Sequence, residues 1–366
     1  MKIAHLIDSG GLYGAEQVLL TLCKEQQQQG LHPIIVSCGL PGENEKPLEN
    51  EARFQGIDLL VWRMRAGINL KSTRELLQVL KYQNVEILHS HGYKFNILLF
   101  LLGKKNLNIP KVTTLHGYTK STLFSKGRIY RLLNQVAILK FDRVISVSPT
   151  IEVPRVFIKN KYSVIPNGII ECEDSKKDYS KRVCSKDYVI GSVGRLSKEK
   201  NFIFLINLMP QLLDRFPNTK LIIHGEGDLR RDLEKRISEL NLANKILMPG
   251  YSNNIVKFMQ EIDIYINCST TEGLPITLLE AMRAGCIVLA SDIPANSYVL
   301  KENFPNLIYD LTPRSFLGAF NKLKTDDLAS LEVLSRELHR FYKEKYTAPR
   351  MALAYRKIYE DLRRNV

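Results

Sequence analysis

TEGLPITLLEAMRAG, residues 271–285, is the stretch on which the reading of this chain turns. A β-rich run at 262–267 ends just before it, and residues 276–283 have helical spacing. Gly273 allows an unusual backbone angle in the turn, and Pro275 suits the first position of a helix. Glu272 therefore sits at the helix mouth and Glu280 on the helix, with seven residues between them. Amides exposed at a helix start, with the helix dipole behind them, form a site for a diphosphate. A carboxylate further along can accept two hydrogen bonds from a ribose diol, and one in the turn can hold sugar hydroxyls. The same spacing also describes a capped surface helix with two solvated glutamates.

Working outward, short β-rich runs alternate with amphipathic stretches. Strands are predicted at 3–7, 33–37, 58–62, 87–89, 112–115, 143–147 and 162–165, with helices at 16–29, 72–82, 96–103 and 128–141. A polar segment, 171–187, reads as a linker. The pattern then restarts, with strands at 188–193, 220–224, 245–248, 262–267, 287–290 and 307–309. Helices are expected around 202–215, 229–240, 254–260, 276–283, 313–324 and 328–345, and a last amphipathic helix at 348–364. Such alternation implies parallel sheets covered by helices on both faces. The expectation is an α/β chain of two doubly wound domains, 1–170 and 171–347, with the final helix returning to the first. Ligands of such sheets bind beyond the carboxyl ends of the strands.

At 366 residues and 45% apolar composition, the chain suits two globular domains. Its cysteines (Cys23, Cys38, Cys172, Cys184, Cys268, Cys286) are far apart, which points to reduced thiols rather than a zinc site or a disulfide framework. Residues 1–11 read as a strand entering a glycine turn, not as a signal peptide. The longest apolar run, 97–102, is far short of the roughly 20 residues that cross a bilayer. A cytosolic protein is expected.

Charge is uneven. Residues 1–93 carry nine Lys/Arg against ten Asp/Glu, whereas 94–161 carry thirteen against two, Asp142 and Glu152. That segment holds most of the +14 surplus and favours an anionic partner. Within it Ile129, Leu132, Leu133, Val136 and Leu139 follow helical spacing, with Lys126, Arg128 and Arg131 beside them. Such a helix can rest on an anionic bilayer or pack its apolar side into a core.

Three further motifs lie at predicted strand ends. In GSVGRLSKEKN (191–201), Gly194 follows a buried strand, and Arg195 and Lys200 can neutralise the charge that builds on a departing diphosphate. In SGGLYGAE (9–16), Gly11 and Gly14 suit a phosphate-approach loop, but the spacing does not match a dinucleotide fingerprint. His116, in TTLHG, can reach a crevice from the end of its strand. His89 and His91, in HSHG, can share a metal only with a third ligand that the sequence leaves unidentified.

Together these residues resemble family 4 of the glycosyltransferases, whose GT-B fold is a pair of facing Rossmann-like domains. VIPNGI (164–169), GRLSKEKN (194–201), HGEGDLRRDLE (224–234) and TEGLPITLLEAMRAGCIVLASD (271–292) match that family's motifs in order. The resemblance implies a transferase that moves a sugar from a nucleotide-diphosphate donor, UDP before GDP, to a saccharide or lipid-linked acceptor in cell-surface polysaccharide synthesis. Anomeric configuration is mostly retained in the family and no metal is required. Arg195 and Lys200 would stabilise the leaving diphosphate, Glu280 would hold the ribose, Glu272 the sugar, and His116 would touch that sugar. Gly11, Gly14, Gly194, Gly225, Glu226, Gly273, Leu274, Pro275, Ile276 and Thr277 would complete the donor site.

This sequence departs from the pattern at Tyr13, where a glycine is usual, and at Asn201, where a glycine is common. It departs again at 293–296, where a small-residue turn is expected. A sugar-nucleotide epimerase of similar fold is the alternative. A nucleic-acid-binding protein is a weaker one, because 94–161 lacks a recognised binding motif. The expectation is therefore a cytoplasmic enzyme held peripherally at the inner membrane face through 94–161, with no nucleic-acid partner.

Overall fold

The computed structural model describes residues 1–8, 11–103, 108–117, 126–154, 158–171, 188–252, 254–325 and 328–364. The chain forms two compact units, Met1–Ile170 with Thr347–Val366, and Glu171–Tyr346. Most of the linker segment, with Cys172 and Cys184, lies outside the described residues, as do Ser9 and Gly10.

The first unit is built on a parallel sheet of β1 (Lys2–Ile7), β2 (His32–Gly39), β3 (Asp58–Arg63), β4 (Ile87–Ser90), β5 (Lys111–Leu115), β6 (Arg143–Ser146) and β7 (Tyr162–Val164). Their order is β3-β2-β1-β4-β5-β6-β7. The direction of winding reverses between β1 and β4, and side chains leaving the carboxyl ends of these two strands border the crevice where α/β sheets take ligands. Helices cover both faces, so β1, β4 and β5 are buried almost throughout, and their polar residues His5, His89, Ser90, Thr113 and Thr114 are buried with the apolar ones.

Helix α1 (Gly14–Gln28) follows β1, and Glu16 accepts the Tyr13 amide at 2.8 Å to close its first turn. α2 (Pro47–Phe54) was not legible in the apolar pattern. It buries just Leu48 and Ala52 among its apolar residues, and its Glu49 accepts from Ser37 and from both terminal nitrogens of Arg63. α3 (Leu70–Tyr82), α4 (Tyr93–Leu102) and α5 (Lys126–Ile138) complete the local alternation.

The second unit repeats the plan with β8 (Val189–Val193), β9 (Lys220–His224), β10 (Ile246–Gly250), β11 (Ile264–Asn267), β12 (Ile287–Ser291) and β13 (Ile308–Tyr309), in the order β10-β9-β8-β11-β12-β13. Its switch point lies between β8 and β11. The helices are α6 (Phe202–Arg215), α7 (Arg230–Glu239), α8 (Ile255–Glu261), α9 (Ile276–Arg283), α10 (Pro294–Leu300), α11 (Pro313–Thr325) and α12 (Leu328–Lys345). α10 occupies the place where a small-residue turn is expected. Pro294 opens it, and Asn296 is buried with its amide donating to the Ser291 carbonyl at 3.0 Å and to Asn267 Oδ1 at 3.2 Å.

The chain re-enters the first unit at Thr347. Ala348 N–H donates to the Ile169 carbonyl at 3.0 Å, and a Cβ on Gly168 would lie 2.3 Å from the Thr347 carbonyl oxygen. Gly168 is thus glycine because two stretches of backbone touch there. α13 (Ala348–Arg364) then packs on α1, burying Met351, Tyr355 and Tyr359.

Candidate functional site

In the second unit the residues at the carboxyl ends of β8 and β11 converge. Gly194 follows β8, and its amide donates to the His224 carbonyl at 3.0 Å, while Leu196 N–H donates to the Glu226 carbonyl at 2.9 Å. The loops after β8 and β9 are therefore zipped together. Gly225 sits at φ +144°, and a Cβ there would fall 1.9 Å from the Gly194 carbonyl oxygen. Close approach of neighbouring backbone is thus enough to require this glycine. Glu226 is held by Arg230, which donates to both of its oxygens at 2.9 and 3.0 Å.

The 3₁₀ turn Lys198–Lys200 follows, and Asn201 leaves it at φ 55°, ψ 35°. Asparagine is among the non-glycine residues that visit this left-handed region readily, which accounts for its presence where glycine is common. The stem of Lys200 runs across Gly194, and its Nζ lies 2.6 Å from Glu272 Oε1. Ser269 Oγ donates to the same oxygen at 2.7 Å. Ser269 is fixed in turn, since its carbonyl accepts from Ser291 Oγ at 2.6 Å and its amide donates to Asn267 Oδ1 at 3.1 Å.

Lys200 and Glu272, read from separate motifs, therefore form one largely buried ion pair. Such a pair is costly to break from either side, because the remaining charge loses its partner. Arg195 is engaged elsewhere, pairing with Glu199. Beyond Glu272 come Gly273 and Leu274. Pro275 is extended, at φ −77° and ψ 97°, so it caps α9 from outside instead of occupying the first helical position. The first turn of α9 holds Ile276 and Thr277, and Thr277 Oγ1 lies 2.6 Å from the buried Tyr265 hydroxyl. One turn on, Glu280 is partly covered. Desolvation pushes its carboxyl up to about 7, against the opposing pull of Arg283.

In the first unit, Gly11 lies beneath the Tyr13 ring, which is more than half exposed, and Gly14 is the first residue of α1. Asp8, just past β1, pairs with Lys94 at the start of α4 at 2.8 Å, spanning the switch point. This pair edges a cavity of about 370 Å³ whose other walls include Lys46, Ile68, Tyr93 and Tyr130.

His116 follows β5, and its Nε2 lies 3.1 Å from His91 Nδ1. His91 Nε2 meets His5 Nδ1 at 3.0 Å, and His5 Nε2 meets Gln26 Oε1 at 2.9 Å. His89 contacts the Tyr359 hydroxyl at 2.7 Å through Nδ1 and Thr114 Oγ1 at 2.8 Å through Nε2. His5 is the third imidazole that the spacing of His89 and His91 left unidentified. Ring nitrogens of these three lie within 4.8 Å of one another. Each of their six ring nitrogens already has a protein partner, so a cation would have to displace hydrogen bonds to bind. Desolvation lowers the proton affinity of all four imidazoles, bringing His5 and His116 to about 4.

The exposed side of α5 carries Ile129, Leu132, Leu133 and Val136, each more than 40% accessible. These side chains face outward and not into a core. Arg131 pairs with Glu152, and the side chains of Lys126 and Arg128 lie outside the described residues. Among the described residues no helix is long and apolar enough to cross a membrane.

The chain is 26% identical to the UDP-Gal:alpha-D-GlcNAc-diphosphoundecaprenol alpha-1,3-galactosyltransferase of Escherichia coli, covering 90% of each. It is also 26% identical to the O-antigen biosynthesis glycosyltransferase WclY of Escherichia coli over the full length of both. The crystal structure of Anabaena HepE in complex with UDP superposes with a TM-score of 0.81 at 17% identity, covering 99% of this chain and 100% of that one. The model of the Glycosyltransferase Family 4 matches residues 13–171, and that of Glycosyl transferases group 1 matches 174–345. The two matches together take in most of both units, and the chain belongs to family 4 of the glycosyltransferases, with the two Rossmann-like domains of its GT-B fold.

Proposed function

We propose that this glycosyltransferase moves a sugar from a UDP-sugar to a lipid-linked saccharide in cell-surface polysaccharide synthesis, with retention of configuration and without a metal. The observation that carries the donor site is the Lys200–Glu272 pair, which lies against Gly194 at the second unit's switch point. Lys200 and Arg195 would exchange their carboxylate partners for the donor diphosphate and take up the charge of the leaving group. Glu272, released from Lys200, would accept from sugar hydroxyls. The backbone from Gly273 to Thr277 would face the phosphates, and Glu280 would accept from the ribose diol. Gly225 and Glu226 would border the base. In the first unit, Gly11 and Gly14 would approach the donor phosphates, and His116 would contact the transferred sugar.

UDP is favoured over GDP because the galactosyltransferase relative is named for a UDP donor and HepE binds UDP. The acceptor class follows the diphosphoundecaprenol in the name of the same relative. A lipid-linked acceptor fits an enzyme working peripherally at the inner face of the membrane, and the outward apolar side of α5 within the basic segment supports that location. No nucleic acid is involved in this reading.

Thermal unfolding with UDP, GDP, ADP and TDP, each with and without EDTA, tests the donor site. At 100 times its dissociation constant a ligand stabilises by about 2.7 kcal/mol, a shift of several degrees. An EDTA-resistant shift with UDP that Lys200→Ala removes is the expected result. A shift abolished by EDTA, or unaffected by Lys200→Ala, refutes the site.

A further inference from the structure

The hydrogen bonds leading to His116 have a direction that follows from the interior outward. Gln26 Oε1 can only accept, so the proton in its 2.9 Å bond belongs to His5 Nε2. Burial keeps His5 neutral, which leaves its Nδ1 bare. The proton in the 3.0 Å bond between His5 and His91 then belongs to His91 Nε2. His91 is likewise neutral, so its Nδ1 is bare and accepts from His116 Nε2 at 3.1 Å. His116, neutral in its turn, must carry a lone pair and no proton on Nδ1. That nitrogen is buried and has no partner among the described residues. Leaving a buried acceptor unmade is unfavourable, and the whole chain of donors behind it is arranged to keep it an acceptor.

The orientation of the Gln26 amide sets this polarity. Its Nε2 faces the Tyr359 hydroxyl at 3.5 Å, and that hydroxyl lies 2.7 Å from His89 Nδ1. The opposite amide orientation would reverse every proton along the row and turn His116 Nδ1 into a donor.

We propose that Gln26, His5 and His91 are positioning residues that hold His116 as its Nε2–H tautomer, so that Nδ1 accepts a hydrogen bond from a hydroxyl of the transferred sugar. This rests on the reading of His116 as the residue that touches that sugar. A donor sugar bearing a hydroxyl at the contact is selected, and its deoxy or O-methyl analogue leaves the nitrogen unpaired.

The test is two-bond ¹⁵N–¹H NMR of the full-length enzyme labelled with ¹⁵N-histidine, near neutral pH, with His116 assigned by loss of its signals in His116→Asn. The expected pattern is one neutral tautomer, with a protonated Nε2 and a pyridine-type Nδ1. A protonated Nδ1, or an imidazolium, overturns the proposal. In His91→Phe and in Gln26→Met the His116 signals should move toward those of two exchanging tautomers. kcat should fall about tenfold, with the donor KM within about twofold. An unchanged His116 pattern and unchanged kcat in either folded variant also overturn it. The tautomer is read without substrate, so failure of the transferase reading shows separately, as an absence of any nucleotide-induced shift in melting temperature. Full-rate transfer by His116→Asn refutes the sugar contact and the proposal together.

Discussion

Glu280 should make the folded enzyme lose stability as pH rises toward neutrality. Its carboxyl is pushed from 4.5 to about 7, first by desolvation, with Arg283 opposing. The native state therefore holds a proton that the unfolded chain releases between those two values. Wild type therefore loses stability relative to a permanently neutral side chain as pH rises from about 4.5 through 7, and the difference is constant above 7. The rise corresponds to an upper bound on the order of 3 kcal/mol, at about 1.36 kcal/mol per pH unit. Partial solvent access at the helix surface reduces it to about 1–2 kcal/mol. Glu280→Gln keeps the shape and removes the titration. Melting curves of both proteins at pH 5, 6, 7 and 8 should nearly coincide at pH 5 and separate by a few degrees at pH 8, with the variant the more stable. Parallel curves across the range, or a wild type that gains on the variant as pH rises, would refute the desolvation argument. Saturating UDP should narrow the gap at pH 8, because the carboxylate can accept from both ribose hydroxyls, whereas the glutamine amide offers one acceptor oxygen beside a donor NH2.

Four other outcomes are expected. Lys200→Met should leave Glu272 with a buried charge and lower kcat by about 10²–10³, measured as sugar transfer at saturating donor. Gly225→Ala forces a Cβ to within 1.9 Å of a carbonyl oxygen at φ +144° and should cost more than about 3 kcal/mol in denaturant unfolding. Gly30→Ala, at φ +74° with open space around it, should cost about 1 kcal/mol. Leu132→Ser combined with Val136→Ser should cut co-sedimentation with anionic vesicles several-fold without altering the UDP-induced shift, whereas added salt should weaken wild-type binding.

The strands and the Glu272–Glu280 motif were legible because the strands are short runs rich in aliphatic and β-branched residues and the turn before α9 is written in glycine and proline. α2 and α10 were not. Each opens with proline, spans no more than eight residues, and is held partly by polar side chains, Glu49 on Arg63 and Asn296 on Ser291. Apolar periodicity has nothing to detect in such helices. The Lys200–Glu272 pair joins residues 72 positions apart, and the sequence placed both at strand ends without saying that they meet. His5 was hidden for a related reason. It sits mid-strand in an apolar run, and its place opposite His89 depends on β1 lying beside β4. That adjacency is a property of the winding order and not of any local pattern.

The return of the chain at Thr347 fixes an order of events during synthesis. The first unit is encoded in two pieces, with all of the second unit translated between them. Residues 1–170 leave the ribosome without α13, and the surface of α1 that it covers stays open to water, together with Gln26 and His89, the partners of Tyr359. The second unit has no such dependence and can close as soon as α12 emerges. The half made first is therefore the half finished last, and it spends the translation time of roughly half the protein with its sheet formed but one covering helix missing, exposed to chaperones and proteases.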